Sequence, residues 1–101
     1  MIVRLEADGA LVTDADDCSA VHVETGLDPD SLRTALLRTG TGTAEADGGA
    51  VVLDIAVLRS RGRLVATDAA WPERFDAMVA AAGERLTDDG LGLRVTVEHF
   101  A

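Results

Sequence analysis

The sequence predicts a small α+β domain: an antiparallel or mixed sheet with two main helices on one face. Three observations carry this. Apolar residues alternate with polar ones at period two over Ala20–Glu24 and again from Leu91 to Glu98. Two segments, opening at Asp28-Pro29 and Trp71-Pro72, carry apolar residues at helical spacing. Asp8-Gly9 sits between two apolar runs, as in a hairpin.

Residues Ile2 to Ala7 and Ala10 to Thr13 are expected to pair across a type I′ turn at Asp8-Gly9, with Leu5 and Val12 on one face. The polar stretch Asp14 to Ser19 follows as a turn. In Ala20–Glu24 the alternation points Val21 and Val23 inward and His22 and Glu24 outward.

The first helix has a complete set of start signals. Asp28 serves as N-cap, Pro29 takes the first helical position, and Leu32 closes a hydrophobic staple on Leu27. Leu32, Ala35 and Leu36 form its buried stripe, and Gly40 ends it after Thr39. Thr41–Ala46 reads as a short edge strand that turns through Asp47-Gly48-Gly49 into Ala50–Leu53. Extending that strand to Leu58 would bury the charge of Asp54, which is costly. The preferred reading makes Asp54 the cap of a short helix, Ile55–Arg61, that stops at Gly62. Segment 62–70 is expected to be a mobile loop.

The second main helix opens at Trp71-Pro72 and buries Phe75, Met78, Val79, Ala82 and Leu86. Its uncharged part, Met78 to Gly83, is rich in small residues that could seat a partner helix or a second copy. Thr87-Asp88-Asp89-Gly90 forms a turn, and Leu91, Leu93, Val95 and Val97 point inward from a last strand. From Ala20 onward the order strand, helix, strand, strand, helix, strand resembles the ferredoxin-like split βαβ arrangement, with the first hairpin as an N-terminal addition.

The chain has 101 residues, the size of one domain, spanning 1–101. Trp71, Phe75 and Phe100 are the only aromatic residues, so the core must be mainly aliphatic. Eighteen acidic residues face nine basic ones, all Arg, for a net charge of −9. The excess is polarised: residues 1–50 hold ten acids and three Arg, residues 51–101 eight acids and six Arg. Exclusive use of Arg with abundant Ala, Gly, Asp and Val suits a GC-rich genome of actinobacterial type. The lone Cys18 and the absence of signal-peptide blocks point to a cytoplasmic protein. Apolar runs are far too short to span a membrane.

Net acidity argues against nucleic acid as a partner, and the basic cluster Arg59, Arg61 and Arg63 lacks interleaved aromatics. That cluster suits a carboxylate or an acidic protein surface instead. An acidic decoy of nucleic acid fits the charge but not the 48% hydrophobic content.

The turn Asp14, Asp16, Asp17 begins like a calcium loop, but Ser19 stands at the sixth position and Thr25 at the twelfth, where Gly and Glu are needed. Cys18 and His22 alone do not make a zinc site. No metal and no cofactor are expected. Acidic neighbours raise the Cys18 thiol rather than activate it. The candidate acid–base residues are His22, paired with Glu24, and His99, if the first and last strands of the ferredoxin-like unit share a cavity. Trp71 and Phe75 would form the apolar wall of such a pocket.

The expected function is a non-catalytic accessory or regulatory module that binds a protein partner or itself. The alternative is a small dimeric pocket enzyme or ligand binder using His22.

Overall fold

In the computed structural model, which describes residues 1–45 and 49–100, period-two alternation produces six strands and 3.6-residue spacing three helices. The order is β1 (Ile2–Glu6), β2 (Gly9–Thr13), β3 (His22–Thr25), α1 (Pro29–Thr39), β4 (Gly42–Ala44), β5 (Ala50–Asp54), α2 (Ile55–Val65), α3 (Trp71–Ala80), a 3₁₀ turn (Gly83–Arg85) and β6 (Gly92–His99). The strands form one mixed, curled sheet in the order β2-β1-β3-β6-β5-β4. β1 and β3 pair in parallel, as do β3 and β6; the other neighbours are antiparallel. β6 joins the two halves, meeting β5 through residues 92–96 and β3 through residues 97–99.

The α+β class is as expected, but the strand order is not that of a split βαβ unit. There β3 would lie between β6 and β5; here β6 lies between β3 and β5. Two helices, not one, connect β5 to β6. The second helix adds a reversal of chain direction, so the two strands return as antiparallel neighbours instead of as parallel strands with β3 between them.

Buried hydrophobic side chains form one cluster, supplied by Val3, Leu5, Val12, Val23, Val51, Leu53, Leu93 and Val95 of the sheet and by Leu32, Leu36, Leu58, Trp71 and Phe75 of the helices. Strand register explains why. Val3 faces Val12 and Val23, Val51 faces Val95, and Leu53 faces Leu93, so one side of the sheet is continuously apolar. Among the described residues Thr25 is one of two buried polar residues, with Thr41: its hydroxyl donates to the Leu5 carbonyl at 2.9 Å and accepts from Leu27 N–H at 3.1 Å.

α1 has the expected cap: Asp28 accepts from Ser31 N–H at 2.8 Å, and Gly40 ends the helix in the left-handed conformation, φ 68°. Asp54 caps α2, accepting from Val57 N–H at 3.1 Å. That helix does not stop at Gly62 but continues to Val65. Gly62 is there for close approach, because a Cβ would stand 2.7 Å from the Trp71 ring.

Three further local readings change. The first hairpin turns on Ala7-Asp8, with Glu6 opposite Gly9. None of these residues has positive φ, so the turn is not type I′; Leu5 and Val12 share a face as diagonal neighbours. α3 ends at Ala80, since Gly83 at φ 58° diverts the chain, and Leu86 instead bridges to Leu93. Leu91 is 69% exposed, because Asp89 captures its N–H in the turn and its carbonyl accepts from Ile55 N–H ahead of β6. Of the Asp47-Gly48-Gly49 turn, Asp47 and Gly48 lie outside the described residues, as does Ala46.

The 62–70 segment is partly α2, and its remainder is tied down. Asp16 accepts from Thr67 N–H at 3.0 Å, Thr67 Oγ1–H at 2.7 Å and Asp68 N–H at 3.0 Å. These hydrogen bonds hold the Asp16 carboxyl below the usual aspartate range. Hydrogen bonds from Ser19 do the same for Asp17, and those from Ala70 N–H and Arg74 for Asp68.

The sign of the pH effect follows. A carboxylate whose folded pKa lies below its unfolded value of about 3.9 contributes stability in full above that value. The contribution disappears as pH falls through the depressed folded values. Stability is therefore expected to be level in these groups at neutral pH and to decline below about pH 4. Asp16→Asn should bring part of that loss to pH 7, seen as faster amide exchange at Thr67 and Asp68 than in the wild type. Unchanged exchange at both amides would show that Asp16 does not hold this loop.

Candidate functional site

The candidate site lies on the sheet face opposite the core. Alternation sends Ile2, Arg4, Leu11, His22, Glu24, Arg94, Thr96 and Glu98 to that side, and all are half-buried or exposed. Its centre is a charged row across three strands: Arg4 of β1 lies opposite Glu24 of β3, and Glu24 lies opposite Glu98 of β6. His22 shares the face of Glu24 two residues along β3. Its Nε2 lies 3.3 Å from Glu24 Oε1 and 3.7 Å from Glu98 Oε2.

The other carboxylate oxygen of Glu24 faces Arg4, at 3.6 Å from Nη2. Arg4 is in turn held over the Phe100 ring, 5.5 Å from its centroid. The chain Phe100–Arg4–Glu24–His22 therefore presents one oxygen of Glu24 toward the imidazole. Like charges placed side by side on paired strands repel, so Glu24 and Glu98 in register call for a cation between them. Arg4 supplies a cation on the β1 side of Glu24.

The expected pairing of His22 with Glu24 is present. His22 and His99 are not brought into one cavity. His22 lies level with Thr96 on the outer face, whereas His99 lies opposite Thr25, three residues further along and of the opposite alternation. Glu98 was not singled out from the sequence, because only the β3–β6 register places it beside Glu24.

The predicted binding residues separate into different roles. Trp71 and Phe75 are 1% and 0% exposed, with ring centroids 5.0 Å apart, and they fill the core rather than line an open wall. Both project from one turn of α3 toward the sheet, which is why helical spacing found them. Arg59 pairs with Asp76 and covers the Phe75 ring at 5.3 Å. Arg61 donates to the carbonyls of Ala10 and Thr39 at 3.3 and 3.2 Å, tying α2 to β2 and to the end of α1. Arg63 is exposed and makes no ion pair or hydrogen bond among the described residues. The basic cluster is thus two structural residues and one free one.

Cys18 is half-buried, its thiol directed at the Ala15 carbonyl, and burial raises it above the ordinary cysteine range. The direction is the expected one, but its main cause is burial and the acidic neighbours contribute least. In the small-residue part of α3, Ala77, Ala80 and Ala81 face solvent while Met78 and Val79 are half-buried.

A depression of about 410 Å³ opens where the end of α1 meets β4 and β5, between the exposed Leu37 and Leu91. It contains neither histidine, so cavity size and acid–base chemistry point to different places. The depression is shallow, and its polar groups are mainly Asp54, Thr87 and Asp89 in capping or turn roles.

No helix among the described residues is long and apolar enough to cross a membrane. Set against protein-family models, curated proteins and solved structures, the chain matches none of them.

Proposed function

We propose that this protein is a non-catalytic accessory or regulatory module that works through protein–protein contact or self-association, with the outer, charged face of its sheet as the contact surface. The observation that carries the reading is the composition of that face. Leu11 is 55% exposed and Phe100 46% exposed on either side of the Arg4–Glu24–His22 row. An apolar rim around a charged centre gives a partner both area to bury and a register to match. Arg63, unpaired on α2, adds a second point for an acidic partner outside this face.

A photo-reactive amino acid placed at position 11 is expected to cross-link efficiently to a second copy or to one protein from the cells that make this chain. The same group at position 84, on the exposed 3₁₀ turn, should not. Cross-linking that is equal from both positions, together with a monomeric mass in sedimentation at every concentration, would defeat the proposal.

One observation favours a second reading. The 3.3 Å contact between His22 and Glu24 is the kind that orients an imidazole for acid–base work. A pocket enzyme or small-ligand binder built on it needs a second copy laid over the open face to enclose the site.

A further inference from the structure

We infer that His22, Glu24 and Glu98 form a binding site for a first-row transition-metal dication such as zinc. The inference is independent of whether the sheet face also meets a protein partner.

One ligand-type atom from each of the three residues lies within 4.8 Å of the others, and among the described residues this is the group that meets the condition. The two distances from the imidazole nitrogen fit the size of such an ion. Ligand atoms about 2.0–2.2 Å from zinc in tetrahedral arrangement stand about 3.4 Å apart. His22 Nε2 lies 3.3 Å from Glu24 Oε1 and 3.7 Å from Glu98 Oε2. Small rotamer changes close the remaining gap, as the Glu98 side chain is 70% exposed and free to adjust.

The backbone explains why three ligands converge. His22 and Glu24 are two apart on β3 and so share a face, and Glu98 is in parallel register with Glu24 on β6. Two of the three ligands come from one strand and the third from its neighbour, so the site is built on paired sheet and not on a loop. It also has an outer support. Arg4 holds Oε2 of Glu24 and leaves Oε1 for the ion, and Phe100 holds Arg4. Second-layer contacts of this type orient metal-binding carboxylates.

The two carboxylates of the row outnumber its one guanidinium, and the net −1 that results attracts a dication. One nitrogen and two oxygens suit zinc, cobalt or nickel better than calcium or magnesium, which take all-oxygen cages.

Titration of the full chain with Zn²⁺ by calorimetry at pH 7.5, in excess Mg²⁺, is expected to give one saturable site. His22→Gln and Glu98→Gln should each weaken it at least about tenfold, the loss typical even of outer-layer changes at metal sites. Glu84→Gln removes an equal charge from an exposed position elsewhere and should leave the affinity unchanged. Backbone amide shifts on Zn²⁺ addition should centre on residues 22–24 and 98. No saturable binding would overturn the site. So would an affinity that His22→Gln leaves intact, or one that Glu84→Gln reduces as much as Glu98→Gln. Glu98→Gln alters a largely exposed side chain, so its result does not depend on whether His22→Gln folds.

Discussion

Trp71→Ala is expected to lower the free energy of unfolding by about 3–5 kcal/mol, the range for removing a large buried aromatic. Three separate contacts are lost together. The indole is 1% exposed, it lies 5.0 Å from the Phe75 ring at a 31° tilt, and its Nε1–H donates to the buried Ala15 carbonyl at 2.6 Å. The last contact links α3 to the 14–19 turn, so removing it also leaves the Ala15 carbonyl without its partner, at a further cost of about 1–3 kcal/mol where water cannot replace it. A domain of this size has a total stability of about 5–15 kcal/mol. The variant should therefore show a much lower urea midpoint with an unchanged slope, and at the low end of that range it would be unfolded at room temperature. Trp71→Phe keeps most of the apolar surface and should lose much less. A loss below about 1 kcal/mol in Trp71→Ala would mean that this side chain does not anchor the core.

Which features could be read in advance depended on how far along the chain their causes lie. α1 was legible from Asp28 to Gly40 because its cap, staple and terminating glycine all act within a few residues. The inward and outward sides of β3 and β6 were legible from period two. Their partners were not, because the parallel pairing of β1 with β3 reaches across β2 and the following turn, that of β3 with β6 reaches across three helices, and no local signal distinguishes that order from the split βαβ one. The same limit shaped the site. His22 and Glu24 share a strand, so their contact could be foreseen; Glu98 joins them only through register. Arg59 and Arg61 looked like surplus charge because Asp76 and the carbonyls of Ala10 and Thr39 are remote in sequence. The acidic turn showed the converse: Asp16 resembled part of a cation loop, and it anchors Thr67 and Asp68 instead.

Gly62 offers the sharpest test of that distinction between local and distant causes. By helix propensity alone, Gly62→Ala within α2 should stabilise by about 0.5–1 kcal/mol. The structure predicts the opposite. An added Cβ would lie 2.7 Å from Cζ2 and 3.0 Å from Cη2 of Trp71, and overpacking of this kind costs about 1–3 kcal/mol. The ring has little room to retreat, since the Ala15 carbonyl holds its nitrogen and Phe75 packs against it. The net expectation is a loss of up to about 2.5 kcal/mol, centred on about 1 kcal/mol, the overpacking cost less the propensity gain. Shortening the ring should relieve the conflict, so Gly62→Ala in a Trp71→Phe background is expected to cost less than in the wild type, or to stabilise. A double-mutant cycle over the four proteins reads this as a coupling of about 0.5–3 kcal/mol. Additive effects, or a more stable single variant Gly62→Ala, would show that the glycine serves no close approach and that Trp71 is not seated against α2.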